Sequence, residues 1–204
     1  MQLESVRTYL FKLIQDGQKW QYIDINGKGK KPSYYFTSVQ WVLLLLSIIT
    51  FYFLKKGLNN DFVGYIINAL SIFVGLFLTL ILAVFDKFKG LEKISQPTET
   101  DKLYLIQRTN FFKQFTSLTG YAIIIAILCI LLLSITFATE IFKLNIFHDS
   151  LFVPSFFSFS INCYLFLSAL YNITVIYFLL DFLLIVIYAV TAMHTYMMIE
   201  YNKK

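Results

Sequence analysis

Asp181 is the only acidic residue deep inside a long apolar stretch of this 204-residue chain. Burying a carboxylate near the centre of a bilayer is costly, so an acid in such a place indicates a functional site. Polar side chains recur around it at seven-residue and three-residue spacings, which gather them within about a third of the circumference of a helix. This polar face consists of Thr174, Tyr177, Asp181, Tyr188, Thr191 and Thr195.

The residues alone leave two interpretations of this polar face open. The face could line water, where an ionised Asp181 would set the conductance or ion preference of a pathway. It could instead be a seam in which a protonated Asp181 donates hydrogen bonds to neighbouring helices. Both interpretations hold together if the seam lies on the axis of an oligomer.

The element that carries Asp181 is one of four long apolar segments, which cover residues 39–54, 62–85, 120–139 and 164–193. A helix needs about 20 apolar residues to cross the hydrocarbon core of a bilayer. The last three segments have that length, and the first is short but flanked by Trp41, Tyr52 and a lysine pair at 55–56, which are typical interfacial anchors. Because a backbone in lipid must satisfy its own hydrogen bonds, the sequence predicts an all-α integral membrane four-helix bundle.

Composition agrees with a single membrane domain over residues 1–204. The chain is 58% hydrophobic and 14% charged, whereas a soluble domain carries about 25% charged residues. Of its 17 Lys and Arg residues, fourteen lie in 1–37, 86–119 and the tail, and three lie in 55–61 and 140–162. Positive charge marks the cytoplasmic side. We therefore expect a multi-pass membrane protein with both termini cytoplasmic and 140–162 outside.

The second apolar segment has a stripe of small and polar residues along one side. Its members are Gly64, Asn68, Ser71, Gly75 and Thr79. Such stripes allow helices to approach closely in membranes, so we interpret this one as a packing face. Together with the polar face of 164–193 it exceeds what one thin bundle can bury internally, which predicts a homo-oligomer.

The segments outside the spans are basic and partly helical. Residues 3–14 have an amphipathic stripe that Gly17 is expected to end, and this helix could lie in the bilayer interface or dock on the bundle. Residues 98–116 are predicted to form a second helix, capped by Thr98 with Asp101. The candidates for contact with an anionic ligand, a partner or lipid headgroups are Lys28, Lys30, Lys31, Arg108 and Lys113.

The sequence shows no pattern typical of catalysis. It has no H-E-x-x-H or G-x-S-x-G motif, and the predicted topology puts His148 and His194 on opposite sides of the membrane. Cys129 and Cys163 lie in or beside spans without metal-ligand neighbours. We expect no enzyme activity, no cofactor and no metal site.

One segment resembles a known group of proteins. The stretch SIFVGLFLTLILAVFDKF (71–88) is similar to the second span of small multi-span membrane proteins of bacterial antiviral defence. These include four-span pore-forming effectors of nucleotide-signalling systems, the membrane subunit of the Kiwa system and membrane accessory proteins of some RNA-guided systems. The resemblance implies a protein of the bacterial inner membrane. It would be an oligomeric pore-forming effector or ion channel gated by a nucleotide or a cytosolic defence partner, or a non-conducting scaffold that recruits such a partner.

Overall fold

The computed structural model describes residues 3–29, 37–54, 58–89, 98–138 and 158–202, all as helix or connecting turn. Five helices follow in order, α1 (Leu3–Trp20), α2 (Ser38–Phe53), α3 (Asn60–Lys89), α4 (Glu99–Ala138) and α5 (Ser158–Asn202). The predicted all-α class is confirmed for this part of the chain. The predicted outer loop at 140–162 lies outside the described residues, except where α5 begins.

Three helices are long and apolar enough to cross a membrane. They contain the segments Asn60–Phe88, Asp101–Ala138 and Phe166–Tyr201. The segment predicted as the first span is the shorter apolar helix α2, whose 16 residues extend about 24 Å. The protein is therefore a multi-pass membrane protein by the length and composition of three helices, and a fourth crossing through α2 stays a prediction.

Helix α4 unites two elements that the sequence analysis separated. Its 40 residues run from the predicted cytoplasmic helix through the third apolar segment without a break. The predicted cap is present, because the Thr98 hydroxyl donates to the Asp101 carboxylate at 2.6 Å and accepts from the Asp101 backbone N–H at 3.3 Å. Gly120 does not interrupt the helix, since its missing side chain makes room for Leu13 of α1.

Helix α1 continues past the glycine that was expected to end it. Gly17 is buried, and a Cβ added there would lie 2.4 Å from the Cβ of Tyr121. This glycine therefore serves the close approach of α1 to α4 and not helix termination. The first half of α1 remains exposed, with Tyr9 and Phe11 among its open side chains. Docking on the bundle is the observed arrangement for the second half.

The chain after α1 also binds α4 through side-chain amides. The Gln114 amide donates to the carbonyls of Trp20 and Ile23, at 3.2 and 2.8 Å, and Asn110 donates to the carbonyl of Ile25 at 3.2 Å. These bonds satisfy backbone carbonyls that no helix or strand would otherwise use. They fix residues 20–25 along the N-terminal half of α4.

The chain divides into two compact units. Unit 1 contains residues 1–33, 74–124 and 183–204, and unit 2 contains residues 34–73 and 125–182. In α5 a buried position recurs every seven residues, as expected for helices that pack side by side. These positions are Ser168, Val175, Phe182, Ala189 and Tyr196.

Candidate functional site

Asp181 is buried in unit 2, with 1% of its surface exposed. Neither carboxylate oxygen has a hydrogen-bond partner among the described residues. Cys129 of α4, itself fully buried, lies within electrostatic range of this carboxyl. A carboxyl group in such a position costs free energy unless it is protonated, hydrated or bound to a cation, which makes it the strongest functional candidate on α5.

The other members of the predicted polar face on α5 differ in their exposure. Tyr177 is buried, Thr174, Tyr188 and Thr195 are half-buried, and Thr191 is exposed. The threonine hydroxyls donate to carbonyls one turn earlier in their own helix, at 2.7 Å for Thr174, 2.8 Å for Thr191 and 2.9 Å for Thr195. A threonine bonded in this way is satisfied without water or another helix.

The structure shows a polar cluster in unit 2 that the sequence analysis missed. Asn172 is fully buried and donates to the Ser168 carbonyl at 3.0 Å. Tyr171 donates its hydroxyl to the Leu132 carbonyl of α4 and accepts from Thr136 at 3.3 Å. Ser168 belongs to the buried heptad of α5, one position after the predicted polar heptad. The apolar residues Val175, Phe182 and Ala189 recur every seven residues, and extending this repeat by one step toward the N-terminus would have identified Ser168 as a buried position.

The small-residue stripe of α3 lies away from the protomer's interior. Asn68, Ser71, Gly75 and Thr79 are exposed, and nothing lies within 4 Å of a Cβ added at Gly64 or Gly75. The Ser71 and Thr79 hydroxyls bond carbonyls of their own helix, at 2.8 and 3.0 Å. Asn68 is therefore the member with an amide directed to the surroundings of the protomer.

Three of the five basic candidates lie in the described part of the chain. Lys28 and Lys113 are exposed, and the Arg108 guanidinium lies 5.0 Å from the centre of the Phe88 ring. Arg108 and Lys113 are five residues apart on α4, which separates them by about 140° around the helix. Lys30 and Lys31 lie outside the described residues.

The turn that carries Lys28 uses its own backbone donors. Gly27 and Gly29 adopt φ values of 74° and 114°, which favour glycine. The Gly27 N–H donates to the Asp24 carbonyl at 2.9 Å, and the Lys28 N–H donates to the Asp24 carboxylate at 2.6 Å. These donors are occupied by Asp24, so this part of the turn is not arranged to wrap a phosphate.

No group of three or more potential metal ligands occurs among the described residues. Comparison of the chain with protein-family models, curated proteins and solved structures finds no match. The resemblance of residues 71–88 to antiviral membrane proteins therefore stays an expectation.

Proposed function

We propose that this protein is an oligomeric membrane pore or ion channel, gated from the cytoplasmic side by a partner protein or a nucleotide. The observation that carries the proposal is Asp181, a buried carboxyl on a helix long enough to cross a bilayer, with no hydrogen-bond partner for either oxygen among the described residues. An acid that only held helices together would be expected to donate or accept a hydrogen bond. A carboxyl group that contacts water or a cation in a second conformation of the protein needs no hydrogen-bond partner in this one.

The exposed stripe of α3 supports assembly. An amide such as that of Asn68 is costly against lipid. A second copy can satisfy it, while Gly75, about two turns further along the same face, allows close packing. Several copies are required, because the described helices of one protomer are too few to enclose a wide pathway. A role in bacterial antiviral defence rests on the resemblance of residues 71–88 alone.

The alternative function is a non-conducting scaffold that recruits a cytosolic defence partner. The exposed cations Lys28 and Lys113 favour it, because charge complementarity guides the association of partners. Under this function, reversing the charge of all five basic candidates abolishes recruitment while membrane insertion persists. Normal response in that variant would leave only lipid contact, worth about 1 kcal/mol for each residue.

Ion flux across liposomes containing the purified protein separates the two functions. Asp181→Asn keeps the shape of the side chain and removes its charge, so conductance or ion preference should change while assembly survives. Asp181→Leu removes the polar group entirely, and Asp86→Asn, an exposed acid of α3, is the matched control.

The outcomes distinguish three cases. A change with Asn but not in the control supports the channel. If Asn is tolerated and Leu disrupts the oligomer, Asp181 acts in helix packing. Unchanged assembly and flux in the Leu variant would contradict any role for this residue.

A further inference from the structure

Unit 1 contains a cavity of about 250 Å³ between the ends of three helices. Helix α3 contributes its last turns, α4 contributes Phe111, and α5 contributes its last turns. The lining is mostly apolar, with one cation and one carboxylate. The residues are Val84, Lys87, Phe88, Phe111, Met193, Tyr196, Met197, Glu200 and Tyr201.

The lining residues of the cavity lie at different heights along their helices. Val84 and Met193 lie at the ends of the apolar segments 62–85 and 164–193. Lys87 and Glu200 lie beyond those ends, where lipid headgroups are expected. The cavity therefore has an apolar side toward the hydrocarbon and a charged side at headgroup level.

An aromatic cluster forms the rigid wall of the cavity. The rings of Phe111 and Tyr196 stack at 4.2 Å between centroids, and Phe88 packs 6.1 Å from Tyr196. Tyr196 is 4% exposed, and its hydroxyl lies close to Tyr104 and Glu200 without a hydrogen bond of normal geometry among the described residues. A buried hydroxyl without such a bond is costly, so a donor site is present that a bound group can use.

The two charged residues lie within electrostatic range of each other. The Lys87 ammonium lies 5.6 Å from the centre of the Tyr196 ring, and Glu200 accepts from the Tyr104 hydroxyl at 2.7 Å. Both residues line the same cavity, and no ion pair joins them among the described residues. A ligand with both a negative and a positive group can satisfy both.

We propose that this cavity binds the headgroup of a zwitterionic phospholipid with a primary ammonium group. Its phosphate accepts from Lys87 and from the Tyr196 hydroxyl, and its ammonium donates to Glu200. One acyl chain lies along Val84 and Met193. A purely anionic headgroup would meet the Glu200 carboxylate, and a quaternary ammonium has no N–H to donate to it. The proposal is independent of ion conduction.

Native mass spectrometry of the purified full chain with an equimolar mixture of ethanolamine, choline and glycerol phospholipids of identical acyl chains tests this assignment. The wild type should retain the ethanolamine lipid about tenfold better than the choline lipid, the size expected for one charge-assisted hydrogen bond. Glu200→Gln should abolish that preference. Lys87→Gln should lower retention of all three lipids by a similar factor.

Two variants outside the cavity serve as controls. Lys102→Gln and Asp86→Asn remove exposed charges from α4 and α3, and both should bind like the wild type. Equal retention of the three lipids by the wild type, or a preference that persists in Glu200→Gln, would overturn the assignment. Displacement of the lipid by soluble phosphoethanolamine at equal concentration would also overturn it, because the apolar side would then contribute nothing.

Discussion

Asp181 and Tyr196 carry buried oxygens that make no hydrogen bond of normal geometry among the described residues, as does the amide oxygen of Asn172 on the same helix. A protein retains such groups at a cost of about 1–3 kcal/mol each. They belong to different units, Asp181 to unit 2 and Tyr196 to unit 1. We assign the first to the proposed ion pathway and the second to the proposed lipid headgroup site, so each can be tested without the other.

Gly17 is the residue whose substitution should most directly disturb the docking of α1. A methyl group there would collide with the Cβ and Cγ of Tyr121, at 2.4 and 2.7 Å, and the Cβ cannot move without the backbone of α4. Gly17→Ala should therefore destabilise the protein by about 1–3 kcal/mol despite the better helix propensity of alanine. Thermal unfolding in mild detergent measures this change.

The matched control for Gly17 is Gly64→Ala on α3. Nothing lies within 4 Å of the added methyl group there, so stability should stay the same or rise slightly. If Gly17→Ala unfolds at the same temperature as Gly64→Ala, the close approach of α1 and α4 is not a feature of the protein in solution.

Among the three long apolar helices, α3 has the smallest share of buried residues. Its most apolar window is 11% buried, whereas the corresponding windows of α4 and α5 are 39% buried. Its buried positions Val63, Leu70 and Phe77 recur every seven residues on one side. The small-residue stripe occupies exposed positions, so a packing role for it requires another copy of the chain.

Assembly through α3 predicts that substitutions within the small-residue stripe weaken the oligomer, whereas a substitution on another face of the helix does not. Gly75→Leu should prevent close approach and shift the mass in mild detergent toward the monomer. Leu76→Ile changes an exposed residue about 100° around the helix from Gly75 and should leave the mass unchanged. Asn68→Leu should weaken association by about 1 kcal/mol, the size of an interhelical hydrogen bond in a membrane. A monomer that still conducts ions would contradict this assembly.

The sequence was informative about elements and less so about their contacts. Hydropathy located α3, α4 and α5, and the cap at Thr98 was recognisable because its residue types are specific. Gly17 was misread as a helix end because packing against Tyr121 overrides the poor helix propensity of glycine. The cavity in unit 1 could not be predicted, since three segments distant in sequence form it.

At the scale of the whole molecule, two helices are longer than a bilayer requires. Helix α5 has 45 residues and extends about 67 Å, and α4 has 40 residues and extends about 60 Å. The hydrocarbon core is about 30 Å thick. Both helices must therefore continue beyond the membrane or tilt strongly. Our topology predicts that they continue on the cytoplasmic side, where Lys102, Arg108 and Lys113 lie on α4.

The topology depends on whether α2 crosses the membrane. This helix is short, and its crossing determines on which side of the membrane the N-terminus lies. Labelling with a membrane-impermeant thiol reagent in intact cells tests it, using single cysteines at Ser5, Ser95 and Ser150 in a background without Cys129 and Cys163. Four crossings predict labelling at position 150 and none at positions 5 and 95. Labelling at positions 5 and 150 but not at 95 would show that α2 does not cross, and labelling at 95 but not at 150 would contradict the orientation itself.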